Sequence, residues 1–231
     1  MTQAFLINLL GDQERKRKSL ELWPYQDIKI NIVEAVDQKT LVADYVTSGV
    51  AAIWESHKKA MREFLKSDAK YAIVLEDDFE IVDRPAVLNA LTQIELLNAD
   101  FIQLGFLNTG LDTWFDKAIN NSESAFFRIT AKFIKAFYKE SKLLSRMRVK
   151  DGLKVPHNLV PYHVLPGAHA YIVSRKFAGL VSGGKDPQLL AADNFYMALA
   201  PMRSMVMYRL RTSAVKQRNV QTTVSERFRE T

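Results

Sequence analysis

Three consecutive carboxylates follow directly on an unbroken apolar run in the middle of the chain. Residues 71–75 are apolar or aromatic without interruption, and Glu76, Asp77 and Asp78 come next. A short apolar run without alternation is typical of a strand covered on both faces in a mostly parallel sheet. Ligands of open α/β sheets bind beyond the carboxyl ends of the strands. The sequence therefore predicts a ligand site here, and a solvated acidic turn is the alternative that the triplet alone leaves open.

The triplet also has the chemistry of a divalent metal site. Carboxylates this close disfavour each other's ionisation unless a cation compensates their charge. In an extended chain, Glu76 and Asp78 point one way and Asp77 the other. Mg²⁺ and Mn²⁺ prefer oxygen ligands and are often shared with substrate phosphates. A metal-bound phosphate compound is therefore a plausible ligand for this edge.

Strand and helix patterns alternate along the first half of the chain. The predicted strands are 4–10, 28–36, 71–75 and 100–105, and the predicted helices are 13–22, 50–67 and 85–97. This order favours an α/β layered fold with a mostly parallel sheet. Arg15 lies on the first helix near its N-terminus, where phosphate contacts are common, although a solvated basic face is the simpler interpretation.

The second half of the chain has a weaker pattern. Strands are predicted at 167–174 and 205–210, and helices at 126–148 and 175–180. A further helix is predicted to follow residues 191–194 and to run through residue 200, with Asp193 as its possible cap. Residues 108–124 and 155–166 are predicted loops, with a turn at 183–187, and the polar, basic tail from Thr212 is expected to be poorly ordered.

The helix predicted at 126–148 is strongly basic. Between Ala125 and Lys150 there are eight Lys or Arg residues and one acid, Glu140. The apolar residues that we expect to share one face are Phe126, Ile129, Phe133, Phe137 and Tyr138. The segment is therefore a candidate membrane-surface helix or acceptor-binding lid, and an ordinary helix with a solvated basic face remains an equal alternative.

Composition limits the compartment and the class of partner. The chain has 231 residues, no cysteine and a formal net charge of +6. The absence of cysteine excludes disulfides and a thiol nucleophile and fits a reducing compartment. No apolar run has the length of a membrane span, and we interpret residues 1–10 as a first strand and not as a signal peptide. The positive charge favours acidic partners such as nucleotide phosphates or anionic lipids.

Several short motifs in order along the chain resemble glycosyltransferase family 25, the lipooligosaccharide galactosyltransferase-like family that includes procollagen galactosyltransferases. The residues that carry the resemblance are Ile7-Asn8-Leu9 with Arg15, Glu34-Ala35-Val36-Asp37, Ser56-His57, the segment 73–78, the segment 101–105, the segment 167–175, Asp193 and the segment 213–217. Each motif is weak alone, but their order and spacing cover most of the chain.

The resemblance implies a GT-A-like fold, which is a Rossmann-type α/β sandwich, with a helical insertion. It implies one glycosyltransferase domain over 1–231. Within it, 1–107 would form the nucleotide-sugar-binding half, 108–160 a variable loop and basic helix, and 161–231 the acceptor half and basic tail. Members of the family typically use UDP-galactose and invert the anomeric centre. The expected protein is then a cytoplasmic enzyme, peripheral on a membrane through 126–148, with a saccharide or glycolipid acceptor such as lipooligosaccharide.

The resemblance also implies roles for individual residues. Asp78, with Glu76, would bind Mn²⁺ or Mg²⁺ at the donor diphosphate, and Asp193 would be the catalytic base unless it only caps a helix. The remaining donor-binding residues would be Asn8, Arg15, Ala35, Asp37, His57, Glu76 and Asp77. Asp37 has an alternative role in a turn, and His57 an alternative role in packing.

Two other functions remain open at this stage. One is a non-catalytic module of the same fold that binds a sugar or nucleotide and docks on an anionic surface. The other is a different phosphate enzyme such as a nucleotidyltransferase, but the sequence contains no P-loop that would support it. Nucleic-acid binding rests on positive charge alone, and we do not expect it.

Overall fold

The computed structural model describes residues 1–41, 47–107, 125–150, 154–183, 191–202 and 204–218. Within 125–150, side chains are described for 132–147. The predicted loop at 108–124, most of the turn at 183–187 and the tail beyond residue 218 lie outside these ranges.

Nine strands and six α-helices form the described part of the chain. The strands are β1 (Thr2–Asn8), β2 (Ile30–Glu34), β3 (Tyr71–Glu76), β4 (Phe79–Ile81), β5 (Phe101–Gly105), β6 (Leu159–Pro161), β7 (Ala170–Ser174), β8 (Met207–Leu210) and β9 (Val215–Gln217). The α-helices are α1 (Gln13–Leu22), α2 (Ser48–Lys66), α3 (Arg84–Leu96), α4 (Ala125–Lys150), α5 (Arg175–Gly183) and α6 (Ala192–Leu199). Short 3₁₀ turns lie at Gln38–Thr40 and Ala200–Met202.

The strands form one mixed sheet with the order β2-β1-β3-β7-β5-β8-β6, and β9 joins β4 to β5. Strand β1 is parallel to β2 and β3, whereas β7 runs antiparallel between β3 and β5. Four of the eight pairings in the described residues are antiparallel. The fold is therefore α/β, as predicted, but the expectation of a mostly parallel, Rossmann-type sheet is not confirmed.

Side-chain caps explain where the first three helices begin. The side chain of Asp12 accepts a hydrogen bond from the backbone N–H of Arg15, Thr47 caps α2, and Asp83 caps α3. Each cap satisfies a backbone donor that the first turn of a helix leaves unpaired. The cap at Asp12 fixes α1 directly after β1, and so sets the position of Arg15 relative to the end of the sheet.

A cluster of aromatic rings in contact forms the centre of the core. Phe101 lies 5.3 Å from Tyr171 between ring centroids, and Tyr196 lies 5.4 Å from each of them. Tyr171 on β7 and Tyr196 on α6 are fully buried. This cluster ties α6 to the middle of the sheet, and it leaves two buried phenol groups that need polar partners.

Three short strands were not predicted from the sequence. Strand β4 follows the acidic triplet immediately, β6 lies in the predicted loop 155–166, and β9 lies in the tail that was expected to be poorly ordered. Each is three residues long, which is too short for a periodic pattern to reveal. The pairing of β4 with β9 returns the chain end to the acidic triplet.

Helix α4 forms as predicted, but its apolar residues do not share one face. Tyr138 is 6% exposed, whereas Phe133 is 62% exposed. The two residues lie five positions apart, which is a rotation of about 140° around the helix axis. Within the part of the chain that the structure describes, no helix combines the length and the apolar character needed to cross a membrane.

Candidate functional site

The carboxyl ends of β1, β2 and β3 meet at one edge of the sheet because these strands are parallel neighbours. Asn8 ends β1, Ala35 follows β2, and Glu76 ends β3. The backbone N–H of Ala35 donates to the carbonyl oxygen of Asn8 at 2.9 Å. The three predicted donor-binding segments are therefore adjacent in the fold.

Both carboxylate oxygens of Asp77 have partners. Its Oδ2 accepts a hydrogen bond from Nδ2 of Asn8 at 2.7 Å, and its Oδ1 forms an ion pair with the guanidinium of Arg15. Burial raises the pKa of Asp77, while the Arg15 charge opposes this effect. Asp77 thus fixes Arg15 and Asn8 relative to the turn that follows β3.

The turn is also held by a residue near the end of the described chain, Arg218. Its backbone N–H donates to the carbonyl oxygen of Asp78 at 2.6 Å, and its guanidinium donates to the carbonyl oxygen of Asp77 at 2.6 Å. Ser19 on α1 donates to that same carbonyl of Asp77. Sequence reasoning missed both Ser19 and Arg218, since neither stands in a motif and β9 is too short to predict.

Asp78 differs from Asp77 because one of its oxygens has no partner. Arg15 lies 3.5 Å from Oδ2 of Asp78, but Oδ1 is buried without a hydrogen bond. Burial and the neighbouring Glu76 raise the pKa of Asp78 to about 6. A buried carboxylate oxygen without a partner is costly unless it is protonated or meets a cation.

Glu76 faces a different set of partners. Its Oε1 lies 3.3 Å from Nε2 of His57, and its Oε2 accepts from Nε2 of Gln217 at 3.4 Å. Burial raises the pKa of Glu76, but the hydrogen bond and the electrostatic interaction with His57 outweigh burial and bring this pKa below its ordinary value. Glu76 is therefore held as a carboxylate at pH 7.

His57 connects Glu76 to the aromatic core. Nδ1 of His57 lies 2.7 Å from the hydroxyl of Tyr171, which lies 3.2 Å from the hydroxyl of Tyr196. His57 is 1% exposed, so both ring nitrogens are satisfied inside the protein. His57 therefore packs in the core and also contacts Glu76 of the acidic triplet directly.

Asp193 lies in the first turn of α6 and within electrostatic range of Glu76 and His57. Its Oδ2 accepts from the backbone N–H of Gly167 at 3.1 Å, and its Oδ1 from the N–H of Asn194 at 2.8 Å. Burial raises the pKa of Asp193. The helix cap itself is Ala191, so Asp193 ties the loop before β7 to α6 rather than capping the helix.

His169 lies beside Glu76 and between two glycines. Its carbonyl oxygen accepts from the backbone N–H of Glu76 at 2.9 Å, and its Nε2 lies 3.1 Å from the carbonyl oxygen of Val215. A side chain at Gly105 would overlap the imidazole, and Gly167 has a φ of +93°. Nδ1 of His169 is buried without a partner. Sequence reasoning placed His169 in a motif but gave it no role.

Asp37, which was predicted to bind the donor, caps a 3₁₀ turn in the structure. Its exposed carboxylate accepts from the backbone N–H of Lys39 at 2.9 Å, which caps a 3₁₀ turn. The neighbouring backbone N–H of Val36 donates to the hydroxyl of Ser56 at 2.8 Å, which joins this loop to α2 beside His57. Asp37 therefore has the turn role that the sequence left open as an alternative.

The carboxylates at this edge could bind a cation if substrate phosphates supplied the remaining oxygen ligands. Among the described residues, no group of three or more His, Asp or Glu side chains is arranged to hold a metal ion. Asp78 has an unpartnered buried oxygen, and Glu76 lies near enough for its charge to raise the pKa of Asp78. One or two carboxylates completed by substrate phosphates is a usual Mg²⁺ arrangement, so these two residues fit such a site.

Gln103 holds the loop that carries Gly167. Its Nε2 donates to the carbonyl oxygens of Leu165 and Gly167, and its Oε1 accepts from the N–H of Leu165 at 2.9 Å. Gln103→Leu leaves these buried groups unpaired, so we expect it to lower the free energy of unfolding by about 2 kcal/mol. Urea unfolding measures the change. An unaltered midpoint would show that the loop does not depend on Gln103.

Comparisons with known proteins found similar solved structures at low sequence identity, but no matching family or curated protein. No family model matches the chain, and no curated protein matches it. Among solved structures, A197 from STIV is similar with a TM-score of 0.42 at 13% identity, over 93% of this chain and 82% of that one. Residues 1–349 of S. aureus TarS are similar with a TM-score of 0.46 at 10% identity, over 94% of this chain and 60% of that one. At these values neither likeness establishes a shared fold or function.

Proposed function

We propose that this chain is a metal-dependent, inverting glycosyltransferase that moves a sugar from a UDP-sugar, with UDP-galactose as the first candidate, to a saccharide or glycolipid acceptor. The observation that carries the proposal is Asp78. Its buried, unpartnered oxygen lies at the carboxyl edge of three parallel strands, and Arg15 lies 3.5 Å from its other oxygen. A cation and a diphosphate would satisfy both groups.

The resident cation would be Mn²⁺ or Mg²⁺, held by Asp78 and Glu76. Bound there, it would stabilise the negative charge that develops on the departing diphosphate. Arg15 supplies a second positive charge from the N-terminal part of α1, where anions are bound favourably. Asn8 and Asp77 keep Arg15 in place through the hydrogen bond and ion pair between them.

Asp193 has the properties of the base in this reaction. The acceptor hydroxyl oxygen forms the new bond to the anomeric carbon, the bond from that carbon to the diphosphate oxygen breaks, and the acceptor proton passes to the Asp193 carboxylate. Burial raises the pKa of Asp193, which makes it a stronger base than an exposed aspartate. Its position in the first turn of α6, within electrostatic range of Glu76, supports this choice of base.

One observation favours the second function, a non-catalytic binding module. Both carboxylate oxygens of Asp193 already accept backbone hydrogen bonds, from Gly167 and Asn194. A residue that only ties the loop before β7 to α6 would have the same contacts. Donor binding without turnover is the result that distinguishes this function.

The test is donor hydrolysis and donor binding in parallel. Purified protein is incubated with UDP-, GDP- and CMP-sugars, with Mn²⁺ or with chelator, and both free nucleotide and the melting temperature are measured. We expect one UDP-sugar to raise the melting temperature and release UDP only with metal. In Asp193→Asn we expect the thermal shift to remain and turnover to disappear. Absence of any shift and any release would reject the proposal.

A further inference from the structure

The outer face of α4 carries large apolar side chains that are exposed to solvent. Phe133 is 62% exposed, Leu143 58% and Met147 48%. On the other side of the helix, Ile134 and Tyr138 are buried. An amphipathic surface helix normally presents polar residues on its outer face, so three exposed large apolar residues on one helix need an explanation.

A row of basic residues runs along the same helix. Its members are Lys132, Lys135, Lys139, Lys142 and Arg146, and they are spaced alternately three and four residues apart. This spacing keeps all five on one side of a helix. We call these five residues the basic ridge. Glu140 is the one acidic residue among positions 132–147.

The exposed apolar residues lie directly beside the basic ridge. Phe133, Ala136, Leu143 and Met147 each follow a ridge residue by one position, and all four are exposed. One position is a rotation of about 100° on a helix. The four residues therefore form a stripe, here called the apolar stripe, along one flank of the ridge. Glu140 occupies the fifth position in this stripe.

We propose that this outer face of α4 lies on the surface of an anionic lipid bilayer. The combination of a basic ridge and an adjoining apolar stripe is what an interfacial helix needs. Basic side chains meet anionic headgroups, and apolar side chains enter the boundary with the acyl chains. A nucleic acid would account for the ridge but not for Phe133, Leu143 and Met147.

The candidate site and the outer face of α4 are linked by the packing of α4 against α6. Helix α4 packs against α6, whose first turn carries Asp193. If the proposed function holds, docking on a bilayer brings the acceptor side of the site to the surface where a glycolipid acceptor would be anchored. Bilayer binding itself requires no donor, so it is tested independently of that function.

The test is co-sedimentation of the full chain with lipid vesicles. The vesicles contain phosphatidylcholine alone, or phosphatidylcholine with one third phosphatidylglycerol. We expect binding to the anionic vesicles only, weakened by high salt because headgroup attraction is screened. Equal binding to neutral vesicles, or no binding to anionic ones at low salt, would overturn the proposal.

Two double variants separate the ridge from the stripe. Lys139→Glu with Arg146→Glu reverses two ridge charges, and we expect affinity for anionic vesicles to fall about 100-fold. Phe133→Ser with Leu143→Ser removes apolar groups at exposed positions, and we expect a fall of about tenfold or more. The control, Lys29→Glu with Lys39→Glu, makes the same charge change at exposed positions away from α4.

The control decides whether binding depends on this face or on net charge. We expect the control variant to keep binding within a few-fold of the wild type. If the control loses as much affinity as the ridge variant, general positive charge explains binding and the proposal fails. If the serine variant binds like the wild type, no side chains enter the bilayer, which also overturns it. Circular dichroism checks that each variant is folded.

Discussion

Replacing Gly105 with alanine is expected to lower the free energy of unfolding by about 3 kcal/mol. An added Cβ would come within 2.3 Å of Nε2 of His169 and 2.7 Å of the carbonyl oxygen of Val215. These two atoms are themselves hydrogen-bonded at 3.1 Å, so neither can move away without breaking that bond. Urea unfolding of the two proteins measures the loss.

Gly179→Ala is the matched control for this prediction. Gly179 lies in α5, and a Cβ there would meet nothing within 4 Å. Alanine has the higher helix propensity, so this variant is expected to be unchanged or more stable by up to about 1 kcal/mol. A Gly105→Ala protein as stable as Gly179→Ala would contradict the packing of His169 described above.

Asp78→Asn is expected to abolish donor turnover and, at the same time, to make the ligand-free protein more stable at pH 8. Turnover should fall at least about 100-fold because the variant loses the anionic ligand for the cation. Stability should rise by about 1–2 kcal/mol because the variant no longer buries a carboxylate whose Oδ1 has no hydrogen-bond partner. A substitution that raises stability while it removes turnover is unusual, so this pair of results is a specific test of the role of Asp78.

The pH dependence of this effect follows from the pKa of Asp78. Its ordinary value is 3.8, and in the folded protein it is about 6. The folded state therefore holds this proton more tightly than the unfolded state. Its charge destabilises the protein fully above about pH 6, and the destabilisation disappears as the pH falls towards 4. The stability difference between Asp78→Asn and the wild type should therefore be present at pH 8 and absent near pH 4.

Thermal unfolding at both pH values, together with the donor assay, measures these outcomes. Asp27→Asn is a suitable control, since Asp27 is exposed and lies in the turn before β2. It removes the same charge from the surface and should leave turnover and melting temperature nearly unchanged. If Asp78→Asn melts below the wild type at pH 8, Asp78 is stabilising the fold and is not a strained ligand for a cation.

The elements with clear local signals were predicted well from the sequence. Helix α1 has the predicted bounds, and β3 extends one residue beyond its predicted end. Both have an unambiguous pattern, with a capping aspartate before α1 and an unbroken apolar run in β3. The direction of β7 was not predictable, since an apolar run has the same composition whichever way the strand runs. That single strand accounts for two of the antiparallel pairings.

The site was predictable in outline only. The triplet after β3 and the position of Arg15 on α1 followed from local pattern, and the structure places them together. Arg218 and Ser19 approach the same turn from distant parts of the sequence, and no local pattern encodes that contact. The roles of Asp193 in transfer and of Asp78 in metal binding stay predictions until the donor experiments are made.

The position of β7 has a consequence for how the chain is made. Strand β7 fills the space between β3 and β5, yet it is synthesised well after both of them. While the ribosome is still translating the segment before β7, β3 and β5 have no partner on the sides that β7 will occupy. Unpaired strand edges pair readily with other chains. The nascent protein therefore passes through a period of exposure to misassembly, which ends only when β7 itself has emerged.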